Sequence, residues 1–275
     1  MRAVARVRTA LGDLGIWSGF YGAGCVLAVF VLADTPVRWA GVLGAGMATS
    51  AVYLVDRVKL RDRDWDPADL DADARRHAWL RAHKHACRVL ALAMLAVASL
   101  LLGTRGWSSG LLPWGGLVAV LGYTAGARHG ARPKDLLTLK SVAVACGLTL
   151  LAWVVVDGGD DLGARAWGGV LGWVWLVVLG DAVLSDLDDR ETDRQWHTRT
   201  LWVVAGAGVS WAVAIVAHLG ASVVLFWGVV GPAPELVGLS LPASTLCLWA
   251  GRPRRVRAWV DLRLAVLAGA AWVIL

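Results

Sequence analysis

Three aspartates, Asp186, Asp189 and Asp193, stand at i, i+3 and i+7 in the run Ser185-Asp186-Leu187-Asp188-Asp189-Arg190-Glu191-Thr192-Asp193-Arg194. On a continuous helix, at about 100° per residue, they fall within roughly 60° of one another. Carboxylates crowded on one face repel unless a cation sits among them. Hard divalent ions such as Mg²⁺ take oxygen ligands and commonly share them with substrate phosphates. The run directly follows an apolar segment long enough to enter a membrane, so the pattern points to metal–diphosphate chemistry at a membrane surface. The plain alternative is a solvated connector neutralised by Arg190 and Arg194. Asp181 lies earlier, inside the apolar segment, where ionisable groups are functional candidates by default. It sits roughly 140° round from Asp186 and need not share an ion with it.

A second candidate is Tyr53-Leu54-Val55-Asp56-Arg57, at the end of another apolar segment. Asp56 would be a further metal ligand and Arg57 a phosphate contact; the alternative is an ordinary helix-end charge pair. The acids that follow, Asp62, Asp64, Asp66, Asp69, Asp71 and Asp73, are interleaved with Arg61 and Arg63 and read as a solvated loop or surface helix. A third is the basic stretch after Tyr123, with Arg128, Arg132, Lys134 and then Lys140 at the start of an apolar segment. Lysine supplies a point charge to a diphosphate and arginine a bidentate clamp, although retention of positive charge on the cytoplasmic side explains the same residues. The group His77, His83, His85 and Cys87 matches no usual zinc spacing.

The elements that must position these side chains are membrane spans. The 275-residue chain is 57% hydrophobic and 17% charged, against about 25% charged in ordinary soluble domains. Its mean hydropathy is +0.59. Residues 14–33, 39–55, 89–104, 106–127, 141–156, 166–180, 200–234 and 236–251 contain no Asp, Glu, Lys or Arg. A bilayer span takes about 20 mainly apolar residues. With nine spans and the N-terminus inside, all of the 27 basic residues except Arg38, Arg105 and Arg165 fall on the cytoplasmic side, as orientation by Lys and Arg requires. The stretch 200–234 then holds one long span, around Val209–Val230, and the weakest span is the last, which begins with Asp261 and Arg263. The net charge of +6 is accounted for by orientation signals and contacts to anionic lipid, with no call for nucleic acid. Many of the 17 Trp residues suit interfacial anchoring. The four Cys read as buried thiols with no disulfide framework. The basic N-terminus reads as the lead-in to an uncleaved first helix.

The expected fold is therefore all-α and polytopic, one transmembrane domain over residues 1–275 with acidic cytoplasmic loops at 56–85 and 181–199. The C-terminus would lie outside. Acidic clusters follow the second and sixth spans, a recurrence that hints at two related halves.

The run from Ser185 to Arg194, followed by Arg199-Thr200-Leu201, resembles the second aspartate motif of UbiA-type intramembrane prenyltransferases, (N/R)-D-x-x-D-x-E-G-D-R and then G-x-R-T-L. Each motif acid is present, and Thr192 and His197 replace two glycines. Tyr123 and the stretch Leu137-Thr138-Leu139-Lys140 resemble the family's segment between spans four and five. The first family motif, N-D-x-x-D-x-x-x-D, is degenerate here: Val52, Tyr53 and Leu60 occupy its Asn, first Asp and last Asp, and only Asp56 remains, with Asp62 or Asp64 as the candidate substitutes. The resemblance implies helices bundled around a central lipid-filled cavity. It also implies Mg²⁺-dependent transfer of a prenyl group from an isoprenyl diphosphate to a lipophilic aromatic or hydroxyl acceptor. In that frame Asp186, Asp189, Asp193 and Asp56 hold metal, Arg57, Lys140 and Arg194 bind diphosphate, and Tyr123 lines the pocket. Asp56, Asp189, Lys140 and Tyr123 form the catalytic set. The alternatives are a UbiA-like terpene cyclase, which traps its cation internally, and a non-catalytic relative that binds a polyprenyl or phospholipid.

Overall fold

The computed structural model describes residues 12, 14–62, 65, 74–104, 106–124, 136–137, 139–156, 163–195, 198–251, 253 and 256–274. Among them every regular element is a helix: α1 (Ile16–Leu32), α2 (Trp39–Val58), α3 (Ala74–Ala82), α4 (Lys84–Gly103), α5 (Trp107–Thr124), α6 (Leu139–Val156), α7 (Ala164–Ser185), α8 (Arg190–Gln195), α9 (Leu201–Gly228), α10 (Pro232–Gly251) and α11 (Arg257–Ile274). Two of these are short, and the remaining nine match the expected spans in order. Helices α4, α6, α7 and α9 are long and apolar enough to cross a membrane by length and composition. The outward faces are apolar too: Leu100, Val118, Val216 and Val223 are each about two-thirds exposed or more. Such continuous apolar surface is what a lipid-facing bundle presents, and it is far larger than a water-exposed protein carries. The chain is an integral membrane protein.

Helix α1 is the most enclosed, with Cys25, Val26, Ala28, Val29 and Phe30 at 1% exposure or less. It touches α2, α6, α7, α10 and α11. The first and last long helices pack together, which closes the bundle. Their backbones approach so tightly that a Cβ on Gly24 would lie 2.7 Å from the Ala265 nitrogen. Helices α7 and α9 meet in the same way, where a Cβ on Gly228 would lie 2.5 Å from the Gly169 Cα. Small residues at such crossings are the usual means of packing helices in lipid, where no hydrophobic force drives them together. Helix α9 runs for 28 residues through the stretch where one span around Val209–Val230 is expected, starting earlier at Leu201 and ending at Gly228, and breaks at Gly206, where φ is 85°; a side chain there would be strained.

Of the two charges that weaken the last span on paper, Arg263 is paired inside the bundle. The Arg263 guanidinium on α11 donates to Asp181 Oδ1 on α7 and, through Nη1, to Thr245 Oγ1 on α10 at 2.7 Å. Tyr21 on α1 donates its hydroxyl to Asp181 Oδ2 at 2.8 Å. His218 on α9 places Nε2 3.2 Å from Asp181 Oδ1 and Nδ1 2.8 Å from Thr245 Oγ1. Four helices thus converge on one carboxylate that is 2% exposed, and α10 joins through Thr245, which contacts His218 and Arg263. An ion buried in hydrocarbon persists only when its partners satisfy it, and here they come from α1, α9 and α11.

The start of α11 is fixed separately. Asp188 accepts hydrogen bonds from the Val256 and Arg257 backbone amides at 2.9 and 3.0 Å, answering donors that a helix N-terminus leaves open. Asp188→Ala is expected to lower stability by about 1 kcal/mol, read as a fall in the thermal midpoint of the detergent-solubilised protein. An unchanged midpoint would show that water caps the helix equally well.

Candidate functional site

The second acidic run does not stay on one helix. Asp186 caps the end of α7, residues 187–189 turn, and Asp193 sits on α8. The helical alignment of the three carboxylates is therefore replaced by a bend. The turn is closed by three backbone hydrogen bonds, from the Leu187 amide to the Leu184 carbonyl at 3.1 Å, from the Asp188 amide to the Ser185 carbonyl at 3.4 Å and from the Asp189 amide to the Asp186 carbonyl at 3.3 Å. The bend gives each acid its own surroundings. Lys140, in the first turn of α6, donates to Asp186 Oδ1 at 2.5 Å. Arg257, at the start of α11, donates through Nη2 to Asp189 Oδ2 at 2.5 Å and to the Ser185 carbonyl at 3.2 Å. Asp193 is buried, and its Oδ2 has no hydrogen-bond partner among the described residues.

The electrostatics follow from this arrangement. Burial alone would raise the Asp189 carboxyl, but the Arg257 guanidinium and the Lys140 ammonium bring it down to about 2. Burial pushes Asp193 up to about 7, with the Asp186 and Asp189 charges adding to the effect and Lys140 opposing it. A small cavity of about 10 Å³ lies beside Lys140 and Asp186 and is lined also by Arg199 and Thr200, room for a single water-sized occupant.

The end of α2 faces the same region. Arg57 is half-buried, donates to the Gly12 carbonyl and lies with its guanidinium 5.4 Å from the Tyr53 ring centre. Its charge is felt together with those of Arg76 on α3 and Arg257 on α11. Arg76 also acts on Asp189. Asp56, the one acid retained from the first motif, accepts from the Lys59 ammonium at 2.7 Å. Asp62 is held by Lys84 and by Arg88, the latter at 2.7 Å; these pull it towards α4. Asp64 lies outside the described residues, as does the side chain of Tyr123 at the end of α5. Arg194 is exposed, with its guanidinium 6.0 Å from the Trp202 ring centre. His83 packs on Trp79 and contacts the Trp79 carbonyl at 2.9 Å.

The structure therefore brings Lys140, Asp186, Asp189 and Asp193 into one region, with Arg57 in electrostatic reach through Arg257. Two cations in that region, Arg76 and Arg257, read in the sequence only as orientation signals. A basic residue near a span end satisfies the positive-inside pattern wherever its side chain points, so no local signal singles them out.

The fit to Mg²⁺ differs between the two ends. Among the described residues no three acidic, His or Cys side chains converge to hold an ion by themselves. A Mg²⁺ shared with substrate phosphates needs only one or two carboxylates. At the α7–α8 end Asp193 offers a buried oxygen without a partner, with Asp186 in electrostatic contact, and the residues fit. At the α2 end Asp56 is already answered by Lys59 and its motif neighbours are Tyr53 and Leu60, and they do not fit.

The protein is thus an all-helical membrane bundle with a cluster of acids and bases where its helices end. The comparisons narrow the fold. The chain matches an apo structure of a UbiA homolog from Aeropyrum pernix K1 with a TM-score of 0.65 at 16% identity, over 93% of this chain and 97% of that one. It also matches a UbiA homolog from Archaeoglobus fulgidus bound to DMAPP and Mg²⁺, with a TM-score of 0.58 at 14% identity over 94% and 96% of the two chains. The same homolog bound to GPP and Mg²⁺ gives 0.56 at 13% identity over 94% and 93%. The chain has the UbiA fold. No family model matches it, and no curated protein matches it by sequence.

Proposed function

We propose that this protein catalyses Mg²⁺-dependent transfer of a prenyl group from an isoprenyl diphosphate to a lipophilic acceptor within the membrane. The observation that carries the reading is the meeting of Lys140 and Arg257 with Asp186, Asp189 and Asp193 at one end of the bundle. The shared fold with homologs bound to DMAPP or GPP and Mg²⁺ supports it.

In this reading Lys140, Arg257, Arg57 and Arg76 surround the diphosphate, with Arg194 at the outer edge. Asp193 and Asp186 are the oxygen donors for Mg²⁺, which would neutralise charge on the departing diphosphate. The paired cations are already in place before charge develops, which is the condition for electrostatic stabilisation of a leaving group. The allylic C–O bond breaks with its electron pair passing to the diphosphate oxygen, and the acceptor's nucleophilic atom then bonds to the allylic carbon. Apolar helix faces hold the prenyl tail and exclude water from that carbon. Tyr123 belongs to the pocket wall by its sequence resemblance. The distribution of Lys and Arg puts this end, and the N-terminus, on the cytoplasmic side, and residues 1–275 act as one unit.

The test is incubation of the purified protein with labelled prenyl diphosphates of several lengths, Mg²⁺ and a lipid-extract acceptor pool. Diphosphate release and a prenylated product are expected, with Asp189→Asn reducing both at least tenfold. No release with any chain length, together with no effect of Asp189→Asn on binding, would sink the reading. The degenerate α2 end favours a second reading, a relative that binds a prenyl or phospholipid phosphate without turnover. Tight binding of the diphosphate with no release in the same assay would select it.

A further inference from the structure

Thr200 carries a buried polar group that nothing in the fold uses. It stands at the N-cap of α9, where a threonine hydroxyl ordinarily accepts from an amide of the first turn; here it makes no capping bond. The residue is 5% exposed, and its Oγ1 is buried with no hydrogen-bond partner among the described residues. A hydroxyl left in that state costs stability unless something answers it. The backbone on either side holds it in place. The Thr198 amide donates to the Asp193 carbonyl at 2.9 Å, the Thr200 amide to the Thr198 carbonyl at 3.0 Å, and the Val204 amide to the Thr200 carbonyl at 3.1 Å. Thr200 is thereby set against the acids. It lines the small cavity beside Lys140 and Asp186. Its hydroxyl is close enough to Asp193 to act on that carboxyl, without the geometry of a hydrogen bond.

We propose that the Thr200 hydroxyl is a third oxygen ligand, beside Asp186 and Asp193, for the divalent ion of this site. The proposal rests on the diphosphate reading above. Three features point the same way. First, two buried oxygens that make no hydrogen bond among the described residues, Asp193 Oδ2 and Thr200 Oγ1, belong to neighbouring side chains. Oxygens that share one Mg²⁺, each about 2 Å from it, stand ~3–4 Å apart, so a pair that is close but not hydrogen-bonded suits an ion. Second, among the described residues no three acidic, His or Cys side chains converge, so a third protein oxygen has to come from another residue type. Third, a hydroxyl brings lone pairs but no charge. It adds a ligand without adding to the repulsion among Asp186, Asp189 and Asp193. Serine and threonine hydroxyls hold Mg²⁺ beside phosphates in the same way in P-loop proteins. The remaining positions on the ion go to phosphate oxygens and water.

The experiment is a titration of the full-length, detergent-solubilised protein with Mn²⁺ at fixed inorganic pyrophosphate, with bound ion read by electron paramagnetic resonance. A parallel titration uses pyrophosphate in EDTA. Thr200→Val keeps the shape and removes the hydroxyl. It is expected to weaken Mn²⁺ binding by about tenfold, with Thr200→Ser staying within about threefold of wild type. Pyrophosphate binding in EDTA is expected to be the same in all three. The metal-free thermal midpoint of Thr200→Val is expected to equal or exceed that of wild type, because an unanswered hydroxyl has gone. Unchanged Mn²⁺ affinity in Thr200→Val would overturn the proposal and leave the diphosphate reading intact. Weaker pyrophosphate binding in EDTA would overturn it by assigning the hydroxyl to phosphate. A lower metal-free midpoint would overturn it by showing that the hydroxyl is answered within the protein. If Thr200→Val does not fold, Thr200→Ala in the same titrations decides the matter. Failure of the wild-type protein to bind Mn²⁺ with pyrophosphate would take down the diphosphate reading and this inference together.

Discussion

Arg263→Ala is expected to lower the unfolding free energy by ~3–5 kcal/mol, because it strands a buried carboxylate without its main counter-charge. Asp181 is 2% exposed and His218 is fully buried, so water cannot take the place of the guanidinium. The loss removes hydrogen bonds to Asp181 and Thr245 at once and loosens α11 from α7 and α10. Removing both charges is a different matter: Asp181→Leu with Arg263→Met leaves no ion in hydrocarbon, and replacing a buried pair by apolar groups is often neutral or stabilising. The double variant is therefore expected to recover most of the stability lost in either single one. Thermal unfolding in detergent of the wild type, the two single variants and the double variant gives the coupling directly. Additive losses would show that the two residues act independently, contrary to their contact.

Lys140→Met is expected to reduce prenyl transfer by ~10²–10³-fold, the range seen when one preorganised charge or donor at a leaving group is removed. Lys140 holds Asp186, whose side chain is 6% exposed, and is itself one-third exposed towards the site. The methionine keeps the aliphatic stem and its packing, so the change isolates the ammonium. Lys140→Arg keeps the charge but alters its geometry and is expected to retain a measurable fraction of the rate. The check is single-turnover product formation at saturating prenyl diphosphate, with thermal midpoints measured alongside to separate folding from chemistry. Transfer within a few-fold of wild type in folded Lys140→Met would remove Lys140 from the reaction.

The fold was largely legible because lipid imposes a long apolar run on each span, and eight charge-free runs stand along the chain, with the ninth span carrying Asp261 and Arg263. Charge asymmetry between loops then chose one long span over two for 200–234, and α9 runs through it. The acidic run was legible as a feature but not as a geometry. Helical spacing put Asp186, Asp189 and Asp193 on one face, whereas the end of α7 at Ser185 separates them. Nothing local in the sequence marks that end, since the turn is fixed by contacts with Lys140 and Arg257 from distant elements. Arg263 shows the same limit. Read alone it weakens the last span; read with Asp181, eighty-two positions earlier, it anchors it. Pairings of that separation leave no periodic trace.

The placement of Arg257 has a consequence for how the protein is made. Helix α11 follows every other element of the site along the chain, so it is the last of them to leave the ribosome. Until it inserts, Asp188 lacks the two amides that it caps and Asp189 lacks its guanidinium. Lys140 on α6 is already available to Asp186, but Asp189 stands at the membrane surface without its guanidinium until then. The Asp189 pairing arrives only with α11, and the order of translation thereby keeps a half-built bundle from completing its acid–base cluster.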